Sequence, residues 1–296
     1  MGLRSQNGNG SDEPLWEEFF DDTLMHATGL GDWLFRHVAF PDAEDNTDYY
    51  FARYYDGRKD EAALQALKAR RPKLEAFLEG LIDEYGLDQA DIVGFASMFQ
   101  QTVAGLAMAR LLKRRKPEIV TVMGGANLLP PMGQQIAANA EHLDYVFAGP
   151  ALKSFPEFVG CILDGERDRI TEIQGVLDKH NAATCGEIGA ELDIDAPVEL
   201  DYDFFFDSFE QKLPRTELEP FVFFETSRGC WWGAISHCTF CGLNGDSMGY
   251  RAMGVDRAID QFSSMFDAYG GKSKHFMCVD NIMPKEYVHG VFPHVK

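Results

Sequence analysis

Three cysteines carry the strongest chemical signal in the chain. Cys230, Cys238 and Cys241 stand as C-x7-C-x2-C in the segment Cys230-Trp-Trp-Gly-Ala-Ile-Ser-His-Cys238-Thr-Phe-Cys241. Three thiolates in one loop can hold three irons of a 4Fe-4S cluster and leave the fourth iron open. Gly229, Gly233, Gly242 and Gly245 supply the permissive backbone such a loop needs. The same thiols also suit zinc, since His237 would complete a closed, tetrahedral Cys3His site. Against zinc, His237 adjoins Cys238, and neighbouring residues rarely turn both side chains onto one metal. No second C-x2-C is present either. A redox pair of Cys238 and Cys241 would leave Cys230 without a role. Residue type and spacing leave cluster and zinc both open, with the adjacency of His237 and Cys238 counting against zinc. Cys161, Cys185 and Cys278 show no ligand spacing, and Cys161 and Cys278 read as small buried hydrophobes.

Such a loop has to be launched from a rigid element. Phe221-Val-Phe-Phe-Glu-Thr226 reads as a buried strand running straight into it. Val255, Ile259, Phe262 and Phe266 mark the next helix, and Lys274 to Asp280 the next strand. In β/α barrels the carboxyl ends of the strands build the active site. Asp280 and Asn281 end the second of these strands. They either face the same site or simply form a strand-ending turn.

A second set of loops lies upstream. Asp91 to Ser97 and Glu118 to Met123 are short apolar runs that read as buried strands, and Leu143 to Phe147 reads as a third strand. A helix over Gln101 to Arg115 carries Ala104, Met108, Leu111 and Leu112 on one stripe. Another, near Pro131 to Glu141, has proline in its first turn. Strands alternating with helices imply parallel pairing and right-handed crossovers, here half of a doubly wound α/β domain. Ligands of open sheets bind at the carboxyl edge. The candidate residues there are Ser97, Met98, Phe99 and Gln100, then Gly124, Gly125, Ala126 and Asn127, then Gly149 and Pro150. Gly124-Gly125 would let a large planar ligand approach the backbone, and the plainer alternative is a turn. Neither a G-x-G-x-x-G nor a P-loop is present. No convincing strand precedes Asp91.

Residues 1–12 read as a disordered tail and 13–90 as a helical region. Within it, Glu61 to Tyr85 is periodic and broken or kinked at Pro72. Residues 91–164 form the α/β domain. Residues 165–219 read as a polar, acidic linker with some helix near Thr171 to His180. Residues 220–296 hold the cysteine loop and its strands.

The formal charge of -20 repels phosphate backbones, so nucleic acid is not an expected partner. The acidity suits either a basic peptide or an ordinary water-facing surface. The basic run Lys113 to Lys116 ends a helix and complements its dipole. No apolar run is long enough to span a membrane. The first ten residues lack the apolar core of a signal peptide. A cytoplasmic, reducing location is the expectation, where cysteines favour metal or catalytic work over disulfides.

The stretch Thr226-Ser-Arg-Gly-Cys-Trp-Trp-Gly, with His-Cys-Thr-Phe-Cys-Gly-Leu-Asn244, resembles the cobalamin-dependent radical S-adenosylmethionine (SAM) proteins that mature ribosomal peptides, especially their C-methyltransferases. Most radical SAM enzymes use C-x3-C-x2-C with an aromatic residue before the last cysteine, and Phe240 matches that aromatic. The longer first gap is shared by the peptide-maturation branch. Residues 91–152 are similar to the cobalamin-binding domains that precede such barrels, with a weaker echo at Gly31-Asp-Trp-Leu-Phe35. The resemblance implies a 4Fe-4S cluster on Cys230, Cys238 and Cys241, with SAM chelating the open iron. Phe240, Gly242, Asp280 and Asn281 would border SAM. Cobalamin would lie on the three upstream loops, base-off, since no D-x-H-x-x-G is present. It further implies that one SAM methylates cobalamin while a second yields the radical that abstracts hydrogen from a peptide. An electron donor such as flavodoxin or ferredoxin would serve it. Barrels of this kind run to about 250 residues, so the chain reads as a piece of a longer one, with two barrel strands. The alternatives are a non-catalytic cofactor-binding fragment and a zinc-stabilised interaction protein.

Overall fold

The computed structural model describes residues 28–56, 61–214, 218–242 and 249–295. The chain divides into two compact units, Met1–Glu191 and Leu192–Lys296. The expected disordered tail, 1–12, lies outside the described residues.

The first unit opens with helices α1 (Leu30–Ala39), α2 (Thr47–Tyr54), α3 (Glu61–Arg70) and α4 (Leu74–Tyr85). Leu30, Trp33, Leu34 and Val38 share one face of α1 at helical spacing and are buried. They join a core with Leu74, Leu78 and Ile82 of α4. Each leucine taken fully out of water there contributes roughly 1.5–3 kcal/mol. Pro72 breaks the long periodic stretch as expected. It sits in a 3-10 turn, Arg71–Lys73, that separates α3 from α4.

A four-stranded sheet follows, in the order β1-β2-β3-β4. Its strands are β1 (Ile92–Ala96), β2 (Val120–Gly124), β3 (Tyr145–Phe147) and β4 (Val176–Leu177). The first three are parallel, with Ile92 opposite Val120 and Val122 opposite Tyr145. Helix α5 (Thr102–Arg115) and helix α6 (Met132–Asn139) make the crossovers, and α7 (Ser154–Leu163) follows β3. This is a mixed α/β unit with a mostly parallel sheet. The strand order never reverses among the described strands, so the switch point of a doubly wound sheet is not formed there. Expected as buried, β1 is instead a half-buried edge strand, paired only with β2 among the described strands.

The helix expected near 171–180 is replaced by a 3-10 turn, Arg167–Glu172, and by β4, which pairs antiparallel with β3. Ile170, Ile173, Val176 and Leu177 are buried and mimic a helical stripe. Gly175 ends any helix between them, because its φ of 80° is left-handed. The basic run at the end of α5 does more than face a dipole. Arg114 pairs with Glu75 and Glu79, and Arg115 with Glu79 and Asp83, which clips α5 to α4.

In the second unit α8 (Asp203–Lys212) comes first, within the stretch expected as linker. Phe206 on α8 is buried with Val222, Phe224, Met265 and Tyr269. Strand β5 (Phe221–Phe224), helix α9 (Val255–Tyr269) and strand β8 (His275–Cys278) form a parallel βαβ unit, as the sequence predicts. Between β5 and α9 the short antiparallel pair β6 (Ser227–Arg228) and β7 (Arg251–Ala252) closes the cysteine loop at its base. A one-turn helix, α10 (Tyr287–Gly290), follows β8. Strand β5 is buried on one face only: Val222 and Phe224 point inward, while Phe221 and Phe223 stay exposed. No helix among the described residues is long and apolar enough to cross a membrane.

Candidate functional site

The cysteine loop leaves the sheet through a fixed root. Gly229, with φ 77°, turns the chain out of β6 and delivers Cys230. The Cys230 sulfur accepts the backbone N–H of Gly233 at 3.2 Å. The N–H of Cys241 bonds the carbonyl of Cys238 at 3.0 Å, so the C-x2-C closes as a turn. All three cysteines are free thiols and partly buried. Among the described residues, no group of three or more His, Cys, Asp or Glu side chains is drawn together as a metal site. The structure thus collects the three cysteines on one closed loop without converging their sulfurs. His237 is exposed. Phe240 is 90% exposed and Gly242 has open space around it. Residues 243–248, which include Asn244 and Gly245 of the motif, lie outside the described residues.

Asp280 lies two residues past the end of β8, and its carboxylate turns to Thr226 at the root of the cysteine loop. One carboxylate oxygen accepts the Thr226 N–H at 2.8 Å and the other accepts the Thr226 hydroxyl at 2.6 Å. Asn281 follows it at the surface. Sequence reasoning missed three side chains that bind the same root. Tyr287 donates to the Met253 carbonyl at 2.8 Å, Tyr250 to the Ile282 carbonyl at 3.4 Å, and the Trp231 indole to the Met283 carbonyl at 3.2 Å. Trp231 was visible in the cysteine motif, but which carbonyl each side chain reaches depends on the fold. Burial pushes the Cys278 thiol up to about 11 and the Tyr287 phenol up to about 12, so both stay neutral.

In the first unit, the carboxyl edge of the parallel sheet does bring the upstream candidates together. Asn127 Nδ2 donates to the Phe99 carbonyl at 2.9 Å and lies 3.2 Å from Ser97 Oγ, linking the loops after β1 and β2. Gln100 Oε1 accepts the Gly31 N–H at 2.5 Å, and Asp32 accepts the Val103 N–H at 3.3 Å near the start of α5. The Gly31 segment of α1 therefore braces the loop after β1. Burial raises the Asp32 carboxyl above its usual range, and the Val103 N–H partly offsets this.

The neighbours of these glycines show what each makes room for. A Cβ on Gly125, φ 123°, would stand 2.4 Å from the Ser97 carbonyl oxygen, so the turn after β2 requires glycine there. A Cβ on Gly124 would meet Phe147 only in ordinary van der Waals contact, at 3.5 Å. Gly149 and Pro150 are covered by Ile188 and Gly189, whose N–H bonds the Ala148 carbonyl at 2.8 Å. Open apolar surface at this edge comes from side chains: Met98, Phe99 (75% exposed), Leu129, Met132 and Leu152. Phe99 holds a left-handed φ of 48°, unusual for a bulky residue. Ala126 is exposed beside them.

Fold and loops together define an α/β protein with parallel βαβ units, one presenting an apolar rim at its carboxyl edge and the other a closed three-cysteine loop. Compared with known proteins, the chain matches no family model and no curated sequence.

Proposed function

We propose that the chain is a radical SAM protein, or a piece of one, that uses a 4Fe-4S cluster and cobalamin to modify, by C-methylation, a ribosomally made peptide. One observation carries this reading: the C-x7-C-x2-C loop starts directly past the carboxyl end of a parallel strand, the place where β/α folds put reactive groups. Its cysteines are free, and one already accepts a backbone N–H at sulfur.

In this reading Cys230, Cys238 and Cys241 hold the cluster, and Phe240, Gly242 and Asn281 border SAM. When bound, the cluster supplies one electron to cleave SAM and cobalamin carries the methyl group. The chain's own part is to hold three thiolates on a loop of fixed base and to offer the rim of Met98, Phe99, Leu129 and Met132 to the cobalamin face. The acidic surface suits a basic stretch of a precursor peptide. A flavodoxin or ferredoxin would deliver the electron.

Electron paramagnetic resonance tests this. The protein is reconstituted anaerobically with iron and sulfide, reduced with dithionite, and recorded with and without SAM. A 4Fe-4S signal that changes on adding SAM is the expected result. No cluster signal, with zinc and no acid-labile sulfide in the metal analysis, would overturn it in favour of a structural zinc site.

A further inference from the structure

We infer that Asp280 is the positioning residue of the cysteine loop, fixing through Thr226 the root from which Cys230 projects. The inference rests on the cluster reading above and concerns how the chain presents its thiolates.

Residues 280–287 touch the loop on both sides of Cys230. Before it, Asp280 takes both donors of Thr226, and Ser227 Oγ donates to the Ile282 carbonyl at 3.2 Å. Just after it, Trp231 bonds the Met283 carbonyl and lies under the Lys285 ammonium, 4.3 Å from the ring centroid. At the return of the loop, Tyr250 bonds the Ile282 carbonyl and Tyr287 the Met253 carbonyl. Thr226 itself is 1% exposed. Among the described residues, Asp280 is the only carboxylate of this cluster that grips the main chain and side chain of one residue together, and charge-assisted hydrogen bonds are the stronger kind.

Its carboxylate is acceptor-only, which matches the two donors of Thr226. Losing a group that hydrogen-bonds a metal ligand directly typically costs 10–100-fold in metal affinity or activity; Asp280 stands one step further out, acting on Cys230 through Thr226 and the short backbone between them. Cys230 is therefore the anchored ligand, while Cys238 and Cys241 sit on the far stretch of the loop.

The test uses the full chain and four variants: Asp280→Ala, Asp280→Asn, Thr226→Val and, as a control, Asp203→Asn on α8. Each is reconstituted, and the rate of cluster loss to an iron chelator and the reduced resonance line shape are measured. Circular dichroism of the apoprotein reports folding. Asp280→Ala should lose its cluster about tenfold faster than wild type, with an altered line shape and an unchanged apoprotein spectrum. Asp280→Asn should largely rescue both, because an amide can still meet Thr226. Thr226→Val should fall between. If Asp280→Ala is misfolded, Thr226→Val decides: a wild-type line shape and loss rate there would overturn the inference. Unchanged cluster behaviour in a folded Asp280→Ala overturns it directly. A wild type that forms no cluster overturns both this inference and the proposed function, whereas normal clusters in every variant overturn this inference alone.

Discussion

Gly125 and Ser97 meet backbone to backbone at the carboxyl edge of the sheet, so closely that no side chain fits between them. The contact is reinforced by the Asn127 N–H to the Ser97 carbonyl at 3.2 Å. Gly125→Ala should therefore displace the loop after β1. The strained backbone alone costs about 1–3 kcal/mol, and the clash adds to it. Urea unfolding should show the lower midpoint. Cobalamin binding, followed by its absorbance, should weaken in the same variant.

Strand β5 has a tyrosine where a neighbouring strand could pair. Tyr202 Oη donates to the Phe223 carbonyl at 2.6 Å and accepts the Phe223 N–H at 3.2 Å. Tyr202→Phe should cost about 1 kcal/mol. It should also raise light scattering on storage, since a bare edge beside exposed Phe221 and Phe223 invites strand addition. Unchanged scattering would show that the edge is protected by other means.

Glu79 is the hub of the clip between α4 and α5, reached by Arg114 and Arg115. Glu79→Gln should cost about 0.5–1 kcal/mol at low ionic strength, as expected of a network rather than a lone exposed pair. The difference from wild type should shrink in molar salt, where charges are screened within about 3 Å. Thermal melts at two salt concentrations measure this.

His37 gives the first unit a pH dependence. Burial, and then the charge of Arg71, lower its pKa below the ordinary value of 6.5. The unfolded chain therefore takes up a proton before the folded one does. Stability is present above about pH 6.5 and is lost as pH falls from there through the lower folded value. His37→Gln should flatten melting temperature against pH across that window, while wild type declines.

What the sequence made legible follows from period and punctuation. Alternating apolar runs gave the three parallel strands and their crossover helices, and Pro72 marked the break between α3 and α4. Strand β4 was missed because two residues, Val176 and Leu177, carry no period of their own. Its partner on β3 is what defines it. Helix α8 was hidden by its acids: Asp201, Asp203 and Asp207 made the stretch look solvated, although Phe206 is a core residue. The cysteines announced themselves by type and spacing. The tyrosines that hold their root did not, because Tyr250 and Tyr287 find their carbonyls only once β8 lies beside β5. The glycines of the upstream loops were visible as glycines, but only the fold names the atoms they make room for.

The pairing of Ser227–Arg228 with Arg251–Ala252 has one further consequence. It sets the two ends of the cysteine segment side by side, so the segment is a graft on the βαβ unit, and its length is uncoupled from the register of β5 and β8. Residues 229–250 could be exchanged for a tight hairpin turn while α9 still returned the chain to β8. Loop closure grows only slowly more costly with length. An insertion between two cysteines would thus be tolerated by the scaffold, and first gaps of different length could be carried on the same pair of strands.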